Sequence, residues 1–266
     1  MRINSISGKL AQLRHCSPSM WPTFIGAWLS RRKTDCVPCV IPGCSNLLNI
    51  PLKEFYESYS FFCEQSEGRQ ELGFFLDNLR PGDVFYDIGG FRGAYSAAAK
   101  IKLQASVTVH IFEPLPHNAD AIQRIFRLND FDNMQVTRLA VSDGTTVSGC
   151  VNELDAMLRL GDQQATQKTV LPSISLDDYL AVGNPVPTLI KIDVDGFELH
   201  VLRGAQKMLR QHRPRLWLEI HPGFLNAQGS SAEAVITFLR ENGYSPRNFN
   251  DVNRPTAAVS YHVWCE

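Results

Sequence analysis

The sequence has almost no net charge: 26 basic against 27 acidic side chains leave a formal charge of -1 over 266 residues. Nucleic-acid modules usually carry a basic excess that displaces counterions from phosphates, so no nucleic-acid partner is expected. Long hydrophobic runs are also missing. The longest apolar stretch near the start, residues 20–29, is broken by Pro22 and falls short of the roughly 20 residues a membrane span needs. Arg14, His15 and Pro18 interrupt any run that could serve as a signal-peptide core, and the expected location is cytoplasmic. Paired metal-type cysteine spacings are scarce. Cys36 and Cys39 form one CxxC, but Cys44 and Cys63 do not form a second, and Tyr59, Phe61 and Phe62 surround Cys63 as they would a buried thiol. The seven cysteines are an odd number in a chain too long to need disulfide staples, so reduced thiols without stoichiometric zinc are expected. Internal repeats and low-complexity tracts are absent as well.

What is there is an ordinary globular composition, 44% hydrophobic and 20% charged, enough to bury a sizeable core. Residues 1–70 read as an N-terminal extension, of which 1–35 show no sustained period and carry a basic Arg31-Arg32-Lys33 run on a solvated face. Short apolar runs between residues 36 and 50, separated by Pro38, Pro42 and Gly43, suggest two edge strands, and residues 54–79 have helical spacing ended by Pro81-Gly82. From residue 71 to 266 a single α/β domain is expected. Its strands are predicted at 84–88, 107–112, 134–141, 188–194 and 216–220, alternating with helices at 94–103, 118–128, 198–210 and 232–242. A polar interruption at 144–172 holds a small strand near 146–151, and residues 257–264 alternate as a final antiparallel edge strand would. The pattern is that of a doubly wound, mostly parallel sheet.

In such sheets ligands bind beyond the carboxyl ends of the strands. The first strand runs into Asp87-Ile88-Gly89-Gly90-Phe91-Arg92-Gly93, where Gly89 and Gly93 let backbone approach a ligand and the next helix offers N–H groups. The second ends at Glu113, where an acid accepts hydrogen bonds from both hydroxyls of an adenosine ribose. The DxGxxxG spacing is not the GxGxxG that seats a pyrophosphate, which favours S-adenosylmethionine over NAD or FAD. Lys191, Asp193, Asp195 and Glu198 lie at the tip of the fourth strand, with Glu219 and His221 at the tip of the fifth. Alternating side chains put Lys191, Asp193 and Asp195 on one side, and likewise Glu219 and His221. Such a cluster suits a general base or a divalent cation; a Lys191–Glu219 ion pair that merely shapes the sheet edge is the structural alternative.

The segments Val84-Phe85-Tyr86-Asp87-Ile88-Gly89, Ile111-Phe112-Glu113-Pro114, Leu139-Ala140-Val141-Ser142-Asp143, Ser175-Leu176-Asp177, Ile190-Lys191-Ile192-Asp193-Val194-Asp195-Gly196-Phe197-Glu198, Val201-Leu202-Arg203-Gly204-Ala205 and Leu218-Glu219-Ile220-His221 come in one order across residues 70–225. Together they resemble the FkbM family of S-adenosylmethionine-dependent methyltransferases. The resemblance implies a seven-stranded class I methyltransferase sheet over residues 71–266 and methylation of a hydroxyl on a sugar or polyketide-like small molecule. It also implies cofactor contacts from Asp87, Gly89, Gly93, Glu113, Pro114, Ala140 and Asp193. Two departures stand out: Gly90-Phe91 replaces the usual Ala-Asn, and Asp195 replaces the usual Glu.

Methyl transfer to a hydroxyl needs alignment and a base. His221 is the first choice for the base, since an ordinary imidazole is mostly neutral at pH 7; Asp193 is the second, with Lys191 orienting a carboxylate or the substrate. No metal is required by this scheme. In the alternative, Mg²⁺ held by Asp193, Asp195 and Glu219 lowers the acceptor's pKa. The rival functions are a binding protein that keeps the fold without the chemistry, and an NAD-dependent oxidoreductase. Residues 1–70 and 144–172 are expected to build the acceptor pocket.

Overall fold

The computed structural model describes residues 36–41, 43–44, 46–51, 54, 67–151, 158–160, 169–249 and 260–266. The basic run at 31–33, Cys63 and residues 55–66 of the helix predicted at 54–79 lie outside these residues. Two strands, β1 (Cys36–Val40) and β2 (Leu47–Pro51), pair antiparallel in a sheet of their own, so they are not edges of the main sheet as the sequence suggested. Alternation explains their placement: Cys39, Leu48 and Ile50 are buried while Val40 and Leu47 face outward. Helix α1 (Glu67–Asp77) follows and places Leu72, Phe75 and Leu76 in the core.

The remaining chain winds βαβ units. They comprise β3 (Val84–Ile88), α2 (Ala94–Leu103), β4 (Thr108–Phe112), α3 (Pro116–Leu128) and β5 (Met134–Thr137). The short strand β6 (Ala140–Val141) leads into β7 (Val147–Val151), β8 (Leu158–Leu160), β9 (Thr169–Leu171), β10 (Ser173–Ile174) and helix α4 (Leu176–Ala181). Then come β11 (Leu189–Ile192), α5 (Glu198–Arg203), α6 (Gln206–His212), β12 (Arg215–Ile220), α7 (Pro222–Ala227), α8 (Ala232–Glu241), β13 (Arg247–Asn248) and β14 (Tyr261–Cys265).

The main sheet has seven strands in the order β13-β14-β12-β11-β3-β4-β5, with β14 antiparallel to both neighbours. The tail strand is therefore interior, not an edge. Its outward partner is β13, too short to read from the sequence. Two apolar clusters take alternate residues of the strands: Phe85, Val109, Ile111 and Trp217 in one, Tyr86, Phe112, Leu216 and Leu218 in the other. That alternation is what a sheet covered on both faces requires.

The structure also revises three boundaries. The predicted strand at 134–141 splits into β5 and β6, and β6 pairs with β10 away from the main sheet. The predicted helix at 198–210 breaks at Gly204, whose absent Cβ leaves room for the Ser142 carbonyl; a Cβ would stand 2.4 Å from that oxygen. The 144–172 segment contributes β7, β8 and β9, which form a three-stranded antiparallel sheet.

Candidate active site

One cavity of about 300 Å³ opens at the carboxyl ends of β3, β4, β11 and β12, a volume in the range of small-molecule sites. Gly89, Phe91, Glu113, Pro114, Leu115, Asn118, Ala140 and Val141 line one part, and Asp193, Val194, Asp195, Phe197, Glu219 and His221 line the other. Val147 of β7 joins them, which ties part of the 144–172 segment to the pocket, whereas no described residue before Ile88 does.

Glu113 is 5% exposed, at the point where β4 leaves the sheet. Its Oε1 accepts from Leu115 N (3.0 Å) and Asn118 Nδ2 (3.2 Å), and its Oε2 from Phe91 N (2.9 Å). A carboxylate offers about four acceptor positions, so one lone pair on Oε2 is left, where the sequence suggested a contact to two ribose hydroxyls. Burial pushes its pKa up to about 7 despite these three donors. Phe91 adopts φ +48°, a left-handed conformation costly for a bulky residue, and its bond to Glu113 helps hold it there. The Gly90 departure also has a local cause, because a Cβ there would stand 2.3 Å from Ile111 Cγ2.

Asp87, Gly93 and Lys191 do not line the cavity. Asp87 is buried beneath the glycine turn, accepting from Ser96 Oγ (2.6 Å). Lys191, 3% exposed, donates to Asp193 Oδ2 (2.9 Å) and lies 3.6 Å from Asp87 Oδ1, rather than pairing with Glu219. Burial would lower its pKa, but Asp193 and Asp87 raise it, so Lys191 stays charged and acts as a fixed counter-ion. Gly93 caps the start of α2 at φ +75°, where a Cβ would stand 3.2 Å from Ile122 Cγ1. Gly89 does line the cavity, yet it is glycine for a packing reason: a Cβ would sit 1.9 Å from the Asp193 carbonyl oxygen.

His221, the residue before α7, is ringed by acids. Its Nδ1 lies 2.7 Å from Glu198 Oε1, and its Nε2 lies 3.4 Å from Glu219, 3.6 Å from Asp195 and 3.8 Å from Asp193. Burial alone would lower the imidazole pKa, but hydrogen bonding to Glu198 and Glu219 and the charge of Asp193 lift it to about 11. The neutral imidazole expected from the sequence is thus replaced, in the protein without bound ions, by a cation that has no lone pair for a proton. Glu219 is held down at about 2: burial opposes this, and His221 and His262 outweigh it. Asp195 is raised to about 6 by burial and by Asp193. It adopts φ +47°, a conformation Asp tolerates better than Glu, which accounts for the second departure.

Glu198, fully buried, is the residue the sequence undervalued. At the start of α5 it looks like a helix-end carboxylate, and nothing in the sequence shows that a histidine 23 positions later meets it. His262 of β14 also reaches the site, with Nε2 3.6 Å from Glu219 Oε2 and Nδ1 3.3 Å from Glu71 Oε1. Cys39 packs in the core, and among the described residues the one group of three or more possible metal ligands is Asp193, Glu219 and His221.

A seven-stranded sheet in this order, with one antiparallel strand next to the far edge and its cavity at the strand ends, is the class I methyltransferase architecture. The family model for the methyltransferase FkbM domain matches residues 83–246, and the chain belongs to that family of methyltransferases. It is 28% identical over 200 residues to the 31-O-demethyl-FK506 methyltransferase FkbM of Streptomyces tacrolimicus, covering 63% of this chain and 74% of that protein. It is 26% identical over 151 residues to the hexuronic acid methyltransferase AglP of Haloferax volcanii, covering 56% of this chain and 60% of that one. Among solved structures, an FkbM methyltransferase from Methylobacillus flagellatus superposes with a TM-score of 0.49 at 18% identity, over 71% of this chain and 45% of that chain. No helix among the described residues is long and apolar enough to cross a membrane.

Proposed function

We propose that the protein is an S-adenosylmethionine-dependent O-methyltransferase that acts on a hydroxyl of a sugar or polyketide-like small molecule. The observation that carries this reading is the division of one cavity. Its adenosine-type end has Glu113 among Leu115, Ala140 and Val141, and its other end holds Asp193, Asp195, Glu219 and His221. The relatives' names, an FK506 hydroxyl and a hexuronic acid, support a hydroxylated acceptor.

The residues fit the cofactor. Glu113 keeps a free lone pair for a ribose hydroxyl, and the apolar side chains beside it suit an adenine ring. When bound, S-adenosylmethionine supplies a sulfonium methyl group whose C–S bonding pair leaves with sulfur as the new O–C bond forms. The chain's task is to hold the acceptor oxygen in line, keep out water and take the hydroxyl proton. Asp195 takes that proton on its carboxylate. Asp193 is tied to Lys191 and Glu198 to His221, whereas Asp195 makes no hydrogen bond to the described residues and its strained backbone holds it at the cavity wall. His221 supplies a fixed positive charge that stabilises the carboxylates around it.

Equilibrium binding of radiolabelled S-adenosylmethionine against NADH tests the cofactor, and mass spectrometry of hydroxylated acceptors after incubation tests the methyl gain. Asp195→Asn is expected to lower kcat about 10²- to 10⁴-fold with cofactor affinity unchanged. Binding of NADH in place of S-adenosylmethionine would overturn the reading.

A further inference from the structure

We propose that the face formed by α4, α6 and the loops that leave them docks on an anionic lipid surface. Residues 199–218 hold five Lys or Arg and no Asp or Glu, in a chain whose net charge is -1. Arg215 is buried against Asp83, but Arg203, Lys207, Arg210 and Arg213 are exposed. Met208 and Leu209 turn one side of α6 into the core, so Lys207 and Arg210, three positions apart, share its outer side. Arg213, just past α6, is fixed in place: its guanidinium donates to Asn242 O and Gly243 O, each at 2.6 Å. Among the described residues, the acids of α4 are already engaged. Asp177 accepts from Lys207 N and Met208 N, and Asp178 from Ser175 Oγ. On α8, which packs beside α5, exposed Arg240 and Glu241 offset each other.

Cations alone are commonly a solvated face, and the second observation is apolar. Helices α4 and α6 start side by side, where Asp177 meets Lys207 and Met208. Both lead into neighbouring parallel strands, β11 and β12, and Arg215 N donates to Thr188 O (3.0 Å) at their entry. The loop after α4, residues 182–188, therefore runs beside the loop after α6, residues 213–214. It presents Val182 at 76% exposure and Val186 at 41%, with exposed Pro185 between them. This loop is anchored: Tyr86 Oη donates to Pro185 O (2.6 Å) and Asn184 Nδ2 to Tyr179 O (2.8 Å). Exposed apolar side chains beside a basic strip fit a membrane interface, where the strip meets anionic head groups and the valines enter the boundary with the acyl chains. A nucleic acid would use the cations but give Val182 and Val186 no role. These loops sit at the amino ends of the strands, whereas the cavity opens at the carboxyl ends, so docking leaves the cavity mouth free.

The test is co-sedimentation of the full chain with mixed phosphatidylserine and phosphatidylcholine vesicles, against phosphatidylcholine vesicles, at about 0.05 and about 0.5 M NaCl. Binding to the mixed vesicles at low salt is expected, with most of it lost at high salt or without phosphatidylserine. Lys207→Ala with Arg210→Ala should weaken partitioning about 25-fold, at about fivefold per cation. Val182→Ser, which changes no charge, should weaken it about threefold or more. Circular dichroism melts confirm that the variants fold, and S-adenosylmethionine affinity, measured by calorimetry, should be the same in all of them. Failure to bind mixed vesicles at low salt, equal binding to neutral ones, or folded variants that bind as the wild type does would overturn the proposal. Binding to a single-stranded RNA oligomer that is tighter than to the vesicles and indifferent to Val182→Ser would overturn it too.

Discussion

Replacing Glu113 by Gln changes one oxygen to an amide nitrogen at nearly constant volume. If Oε1 keeps its bonds from Leu115 N and Asn118 Nδ2, the new amide points its N–H groups at the Phe91 N–H that formerly donated to Oε2. Donor then faces donor, and Phe91, at φ +48°, loses a bond that holds the turn. A ribose hydroxyl meanwhile loses a charged acceptor, worth about 1.5–3 kcal/mol. At about 1.4 kcal/mol per decade, the Kd for S-adenosylmethionine at pH 8 should rise about 10- to 150-fold. Calorimetry measures it, with a thermal melt to confirm folding; the stranded Phe91 N–H should also cost about 1–3 kcal/mol of stability. A folded Glu113→Gln protein with a Kd within twofold of wild type would refute the ribose assignment.

The same residue gives a pH dependence. Its pKa is raised from the ordinary 4.5 to about 7, so the folded protein holds the proton more tightly than the unfolded chain. The contribution to stability is present below about 4.5 and is lost as pH rises toward about 7, a decline of about 3 kcal/mol that urea denaturation of the cofactor-free protein at several pH values would register. Cofactor affinity should move the other way, tightening through pH 7 as the ionised acceptor forms, and a flat affinity from pH 6 to 8 would contradict this. Gly89→Ala should destabilise the fold by about 3 kcal/mol or more, because its Cβ would meet the Asp193 carbonyl at 1.9 Å and φ is +78°; an unchanged melting temperature would show that the β3 and β11 ends can part.

The parallel strands were legible because burial on both faces makes them short, mostly apolar runs, as in 84–88 and 189–192, each interrupted by one buried charge, Asp87 and Lys191. Glu113 was legible because it is the acid directly at the carboxyl end of such a strand, after Ile111-Phe112. The charge state of His221 was not, since it depends on Glu198, a residue on another element whose side chain meets it only in the folded chain. The same holds for Lys191, which read as a site residue and is buried between Asp87 and Asp193. Motif segments away from the cavity have structural roles: Ser175 caps α4 through Asp178 N, and Asp177 accepts from Lys207 N and Met208 N at the start of α6. A spaced pattern cannot separate such caps from cavity residues, because both need a polar side chain at a strand or helix end. Val147 and Phe197 line the cavity as ordinary apolar residues, with no chemical signal to mark them.

The interior position of β14 bears on how the protein is made. A ribosome produces every other described element first, so β12 waits with an open edge until β14 enters between it and β13. An unpaired edge is a template for joining other chains, which makes the unfinished molecule prone to aggregate while the finished one is protected. The strand that closes this gap also carries His262 to Glu219, so an active centre built mostly from earlier residues is completed only when this strand, made after every other described element, is in place.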